Sequence, residues 1–335
     1  MGDIFHVGID LGTSRSSITT STGKRLTIAS CVGYPKDMVA RKRLNKEFLL
    51  GEDALDNRLA LDLVWPLADG VLCEDKASID ATVLLLKELI SLALPEHNSE
   101  SEIYAAIGVP AQASLKNKKA ILHLSKDIID RLIIVSEAFA VAYSCNRFDE
   151  CLIVDIGAGT TDLCRMHGSV PDASDQLTLT TAGNFLDDMI AKAMLAKFPD
   201  VQLSKKIVKN IKEKHGYLSD ASEPVIVRLT ENGLIGEYDV SDVLKESCLQ
   251  LAAPITKAVQ ALVGSFDPDF QESMRNNIII AGGGSRLQGI DAAIEDSLAA
   301  YGGGRATCVQ DAEFCGSIGA LNMCIEMPSE YWEKL

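Results

Sequence analysis

Two stretches of this sequence repeat one pattern, and the repetition limits the folds open to it. In Val154-Asp155-Ile156-Gly157-Ala158-Gly159-Thr160-Thr161-Asp162, an apolar run from Cys151 leads to an acid. The acid leads to a turn with two glycines, and the turn to hydroxyls and a second apolar run. Val7-Gly8-Ile9-Asp10-Leu11-Gly12-Thr13-Ser14 follows the same order. Each reads as a strand that delivers a carboxylate to its tip, then a tight hairpin whose N–H groups face outward. Glycine permits the positive φ and close approach such a turn needs. A concave row of backbone N–H groups binds an anion such as phosphate. An acid beside a phosphate makes sense with a cation between them, most simply hydrated Mg²⁺. One copy alone reads equally well as an ordinary hairpin with a turn acid. Two copies heading the two halves of the chain, with a third glycine cluster at Gly282-Gly283-Gly284, point to two related lobes closing on one polyphosphate.

Composition narrows the class. A length of 335 residues gives room for about two domains, and 47% hydrophobic with 24% charged residues suits a soluble globular protein. The net charge of −15 argues against a surface that coats nucleic acid or an anionic membrane. Apolar runs such as Val83–Ile90 are too short to span a bilayer and contain Lys87 and Glu88. With no basic n-region, no signal peptide is expected, and the expected location is cytoplasmic. The nine cysteines contain no Cys-x-x-Cys. The pairs Cys145/Cys151 and Cys308/Cys315 are too widely spaced for a zinc knuckle. Cys151, Cys164, Cys248 and Cys324 lie in apolar runs and read as reduced core residues.

Strands alternate with helices, which indicates an α/β fold. Residues 4–10 and 15–20 form a hairpin around Gly12. Thr27–Val32 continues that sheet, and Gly33-Tyr34-Pro35 breaks it. Residues 36–46 are basic, a solvated loop or helix, or else a contact for an acidic surface such as another copy of the chain. Ser78 is a candidate N-cap for a helix to Leu94. Ser114–Ile129 reads as helical, and Ser136-Glu137 opens a helix after the strand Leu132–Val135. In the second half, Gln176–Thr181 is a strand, Phe185–Phe198 and Ser204–Tyr217 are helices, and Ser241 or Asp242 caps a long helix containing Pro254. The Gly282–Gly284 turn follows the strand Asn277–Ala281 and leads into a helix over Ser285–Leu298. A dinucleotide fingerprint would need glycine where Leu287 stands, and there is no Gly-x4-Gly-Lys-Ser/Thr. Backbone N–H groups, hydroxyls and metal must therefore carry the phosphate charge.

On these residues the chain resembles the actin/Hsp70/hexokinase superfamily. Gly8–Ser14, Val154–Asp162 and Ile280–Gly289 look like its phosphate-1, phosphate-2 and adenosine motifs, and Val135–Tyr143 and Cys315–Leu321 like its connecting helices. Within it, Ile207–Lys214, Val32–Asp37 and Pro66–Val71 resemble bacterial actins. Gly33–Asp37, Ala281–Arg286 and the closing Tyr331-Trp332 are most similar to the branch that organises magnetosomes. The match covers essentially the whole chain.

The resemblance implies an actin-like α/β fold of two lobes, each with a ribonuclease-H-like core, and a nucleotide in the cleft between them. It implies a first lobe from 1–30, 66–144 and 310–335 with an insertion at 31–65, and a second from 145–185 and 241–309 with an insertion at 186–240. ATP or ADP is the implied cofactor, with Mg²⁺ held through water by Asp10 and Asp155. Gly12, Thr13, Ser14, Gly157, Gly159, Thr160 and Thr161 would surround the phosphates. Gly183, Asp187, Lys212, Glu213, Gly282, Gly283, Gly284 and Arg286 would line the ribose and base. Glu137 would orient the attacking water, with Asp155 and Asp162 as further catalytic acids. Eukaryotic actin has His in the Asp162 slot. The implied function is an ATP-dependent, ATP-hydrolysing filament. It would self-associate head to tail, recruit magnetosome-associated adaptors, and make no direct contact with nucleic acid and no membrane insertion. The alternatives are a cell-shape or plasmid-segregation actin, or a monomeric sugar- or acetate-type kinase of the same superfamily.

Overall fold

The computed structural model describes residues 3–98, 100–219 and 223–334. The chain divides into two compact units, Met1–Phe148 with Asp311–Leu335, and Asp149–Gln310.

The first unit is built on a six-stranded sheet. Its order is Glu333–Lys334, Arg131–Ser136, Glu102–Val109, Ile4–Leu11, Arg15–Thr20, Arg25–Ala29. Ile4–Leu11 pairs antiparallel with Arg15–Thr20 and parallel with Glu102–Val109. The second unit carries a five-stranded sheet ordered Gln176–Leu179, Thr161–Met166, Cys151–Ile156, Ile278–Ala281, Ala306–Cys308. Cys151–Ile156 again pairs antiparallel with the strand that follows it and parallel with a later one, Ile278–Ala281. The repeated sequence pattern thus occupies the same topological place in both sheets: a central strand, its own hairpin partner on one side and a parallel strand on the other.

Central position explains the apolar runs. Leu152, Ile153 and Val154 are fully buried, as are Val7 and Ile9, because a strand covered on both faces needs a continuous apolar run. Each such side chain contributes about 1.5–3 kcal/mol by leaving water. In the first unit the Lys76–Ala93 helix buries Ala81, Leu85, Leu86, Leu89, Ile90 and Ala93, a stripe at helical spacing. In the second, Ile190 and Met194 join Ile255 and Val259 against the sheet strands. The Ser241–Gly264 helix runs through Pro254 without ending. Its burial of Leu251, Ile255 and Val259 outweighs the roughly 3 kcal/mol cost of an internal proline.

Several boundaries differ from the sequence reading. Gly33-Tyr34-Pro35 does not break strand structure. Val32–Pro35 is a strand of a separate three-stranded sheet, between Leu49–Leu50 and Leu61–Val64. The first sheet ends instead at Ala29, where the buried Ser30 turns its N–H to the Ser14 carbonyl. The basic stretch holds a short helix, Met38–Leu44, capped by Asp37. Asp75, not Ser78, caps the Lys76–Ala93 helix; its carboxylate accepts from the Ser78 N–H at 3.0 Å and the Ser78 hydroxyl at 2.7 Å. Leu115–Ser125 is helical, four residues short of Ile129. The strand at Gln176 ends at Leu179, and the next helix begins at Gly183 rather than Phe185. Gly282–Gly284 leads into a single 3-10 turn, Gly283–Arg286, and the helix begins only at Ile290. Gly289, at φ 84°, separates the two.

Candidate nucleotide-binding site

In the first unit three parallel strands deliver their tips to one row. Asp10 is registered with Gly108, and Gly108 with Val135. Beyond Val135, Ser136 caps the Glu137–Ser144 helix, its hydroxyl accepting from the Phe139 N–H at 3.3 Å. Glu137 is the first residue of that helix, half-buried, with its side chain over Gly108. A helix N-terminus favours negative charge there, and the register places Glu137 at the sheet edge that carries Asp10.

The turn after Asp10 is braced from behind. The Ser30 hydroxyl donates to the Gly12 carbonyl at 2.6 Å, and the Ser30 N–H to the Ser14 carbonyl at 3.0 Å. The Gly70 N–H donates to the Thr13 hydroxyl at 2.9 Å. That bond uses Thr13 as an acceptor and leaves its proton for an anion. Gly316, in the first turn of the Cys315–Glu326 helix, faces Asp10. A Cβ there would stand 2.8 Å from Asp10 Oδ2, so glycine keeps the carboxylate clear.

In the second unit the Gly157 N–H closes its turn on the Thr160 carbonyl at 2.8 Å. The first residues of the Gly183–Lys197 helix hold the other side: the Gly183 N–H donates to the Gly157 carbonyl at 3.0 Å, and the Asn184 N–H to the Ala158 carbonyl at 2.7 Å. This fixes the carbonyl side of the turn and leaves anion binding to its N–H groups. The Lys212 ammonium donates to the Gly183 carbonyl at 2.9 Å and pairs with Asp187 at 2.9 Å. It thereby ties the Lys205–His215 helix to the hairpin's support. Burial pushes the Asp187 carboxyl above its ordinary value, against the pull of Lys212. Glu213 and Arg286 are exposed, Glu213 beside Lys209 at 3.8 Å.

Asp155 and Asp162 stand directly opposite each other on the hairpin ladder. Asp155 is half-buried at the strand tip, whereas Asp162 is 1% exposed and its Oδ1 accepts from the Thr178 hydroxyl at 2.5 Å. The two acids of one row are thus in unlike surroundings. Thr161 is also fully buried, its hydroxyl donated to the Thr181 carbonyl at 2.8 Å. Gly282 lies against the same acid; at φ 71° it passes so close that a Cβ would be 2.4 Å from Asp155 Oδ1. The Ser285 hydroxyl closes this loop on the Gly282 carbonyl at 2.8 Å.

Within the first unit Asp10, Gly12–Ser14 and Glu137 come to one sheet edge. Within the second, Asp155, Gly157–Thr160, Gly183, Asp187, Lys212 and Gly282–Gly284 do the same. Five supporting residues were not among the expected site residues: Ser30, Gly70, Gly108, Thr178 and Gly316. The donor chemistry fits Mg²⁺. Asp10 and Asp155 offer hard oxygen ligands on glycine-cleared tips. Among the described residues no group of three or more His, Cys, Asp or Glu could hold a metal.

Comparison with known proteins agrees with this architecture. Residues 5–324 match the family model described as MreB/Mbl protein. The chain is 39% identical over 330 residues to the actin-like protein MamK of Magnetospirillum gryphiswaldense, covering 98% of this chain and 91% of the relative. Among solved structures it is similar to the MamK double helical filament, with TM-score 0.94 and 36% identity over 97% of this chain and 100% of that one. It is also similar to a non-polymerising MamK mutant bound to AMPPNP, with TM-score 0.75, 36% identity and the same coverage of both chains. A sequence that repeats a strand-tip acid and a glycine hairpin in two like sheets, and that matches these proteins over nearly its whole length, belongs to the MreB/Mbl family of actin-like proteins.

Proposed function

We propose that this chain is an ATP-dependent, filament-forming bacterial actin that organises magnetosomes into chains. The observation that carries the reading is the pair of glycine hairpins, each following a strand-tip aspartate in an equivalent sheet. The relatives supply the assembly: MamK forms a double helical filament, and a MamK mutant binds AMPPNP. The turn at Gly12–Ser14 in the first unit, and in the second the turn at Gly157–Thr160, would each offer N–H groups to ATP phosphates; Gly282–Arg286, Gly183, Asp187, Lys212 and Glu213 of the second unit would take the base and ribose. Asp10 of the first unit and Asp155 of the second are the carboxylates that would hold hydrated Mg²⁺, which would supply charge neutralisation to the phosphates. Head-to-tail contacts between copies are heterologous and do not close, so they propagate. Adaptors on the magnetosome tether the filament, which lies in the cytoplasm. The chain has four parts, two cores at 1–30, 66–144, 310–335 and at 145–185, 241–309, with insertions at 31–65 and 186–240.

Hydrolysis is assigned to Glu137. Phosphoryl transfer needs chiefly positioning and charge stabilisation, and a carboxylate at a helix start can orient a water and accept its proton. Asp162, buried against Thr178, supports Asp155 from across the ladder. Sedimentation of the purified chain with ATP, ADP and no nucleotide, with phosphate release followed in the same samples, tests this. Pelleting that depends on ATP, with phosphate released as polymer forms, is the expected result. A protein that binds ATP yet stays monomeric across concentration and salt would instead be a superfamily kinase. No helix among the described residues is long and apolar enough to cross a membrane.

A further inference from the structure

Two cysteines that sequence spacing sets far apart meet in the first unit. Cys145 directly follows the Glu137–Ser144 helix, and Cys315 begins the Cys315–Glu326 helix. The two helices touch backbone to backbone: a Cβ at Gly319 would lie 1.6 Å from the Ala140 carbonyl oxygen. At one end of this contact the Ser144 hydroxyl lies 2.8 Å from Cys315 Sγ and 3.6 Å from Cys145 Sγ. The thiols are hydrogen-bonded to each other as well. Cys145 is half-exposed and Cys315 buried, so one sulfur can meet a reagent from solvent and the other can resolve the product. The remaining buried thiols differ. Burial pushes Cys164, Cys248 and Cys324 up, Cys248 to about 11 and Cys324 to about 12. Cys145 is lowered to about 6, by the hydrogen bond from Cys315 first, then by that from Ser144 and the charge of Arg147, against burial.

We propose that Cys145 and Cys315 form a thiol–disulfide modification site, with Cys145 the attacking and Cys315 the resolving sulfur, and a low-molecular-weight disulfide the oxidant. The Cys145 thiolate attacks one sulfur of the small disulfide, forming a mixed disulfide and expelling one small thiolate. The Cys315 thiol gives up its proton and attacks the Cys145 sulfur of the mixed disulfide, expelling the second. The two protein thiols are oxidised by two electrons and the small disulfide is reduced to two thiols. The product staples the C-terminal end of one helix to the N-terminal end of the other. Gly316, next to Cys315, is the residue that faces Asp10, so the staple acts one residue from the strand-tip acid.

The test uses the full-length wild-type chain, folded and reduced, in buffers of oxidised and reduced glutathione. Free thiols are trapped by alkylation and linked peptides mapped by mass spectrometry, without nucleotide, so the result stands apart from the filament reading. The expected product is a Cys145–Cys315 link that dithiothreitol reverses. In Cys315→Ser the same treatment leaves a glutathione adduct on Cys145. In Cys145→Ser the buried Cys315 stays unmodified under conditions that fully convert wild type. Absence of the link while the half-exposed Cys73 and Cys308 become modified, or a Cys145 adduct that persists with Cys315 present, overturns the proposal.

Discussion

Lys212 reaches Asp187 at 2.9 Å and, with the same ammonium, the Gly183 carbonyl at 2.9 Å. One side chain thus joins two helices to the base of a glycine hairpin. Lys212→Met keeps most of the length of the side chain and removes its charge. Breaking a half-buried pair leaves a carboxylate without its counter-ion, and the expected loss is about 1–3 kcal/mol, measured by urea unfolding.

The pH dependence follows from the direction of the Asp187 shift. Its folded pKa lies above the unfolded one, because burial outweighs Lys212. The stability the residue contributes is full below the unfolded value, near 3.9, and falls as pH rises through the raised folded value. Without Lys212 the folded value rises further. The Lys212→Met deficit should therefore be larger at pH 7 than at pH 4, and an equal deficit at both would contradict the assignment.

Gly316→Ala places a methyl group 2.8 Å from Asp10 Oδ2. An overpacking of this kind costs about 1–3 kcal/mol, and here it acts on the strand-tip acid. Calorimetric titration with ATP and Mg²⁺ should show affinity falling about tenfold or more while the far-ultraviolet circular dichroism is unchanged. Gly264→Ala is the control, since nothing lies within 4 Å of a Cβ there.

Thr178→Val removes a hydroxyl from the 1%-exposed Asp162. A buried carboxylate that loses a donor costs about 1–3 kcal/mol. The variant should melt earlier than wild type, and Thr178→Ser should recover most of the loss. If Thr178→Val melts with wild type, Asp162 is not held as described.

Glu137→Gln keeps the size of the side chain and removes its basicity. Phosphate release should fall about 100-fold or more, while ATP-dependent pelleting persists and disassembly slows. Release at the wild-type rate would remove Glu137 from the reaction.

The two glycine hairpins were legible because their pattern is local: acid, glycine and hydroxyl are consecutive in sequence. The residues that brace them were not. Ser30 reaches Gly12 from the end of the third strand of the sheet, Gly70 reaches Thr13, and Gly316 meets Asp10 from the far end of the chain. Such contacts depend on topology and leave no spacing to read. Helix starts slipped for a related reason. Ser78 is a fitting cap residue, but Asp75 lies three residues earlier and takes the Ser78 N–H, so the helix begins a turn sooner. Gly33-Tyr34-Pro35 looked like a break because glycine and proline usually punctuate. Here Gly33 gives room to the Leu61 side chain, and Pro35 ends the strand, where no further ladder donor is needed.

Negative-stain imaging of the purified chain with Mg-ATP, with ATP and a chelator, and with Mg-ADP tests the central claim most directly. Long filaments are expected with Mg-ATP, and few or none when either the metal or the γ-phosphate is withheld. Filaments of equal number and length in all three samples, or none in any while ATP binds, would contradict it.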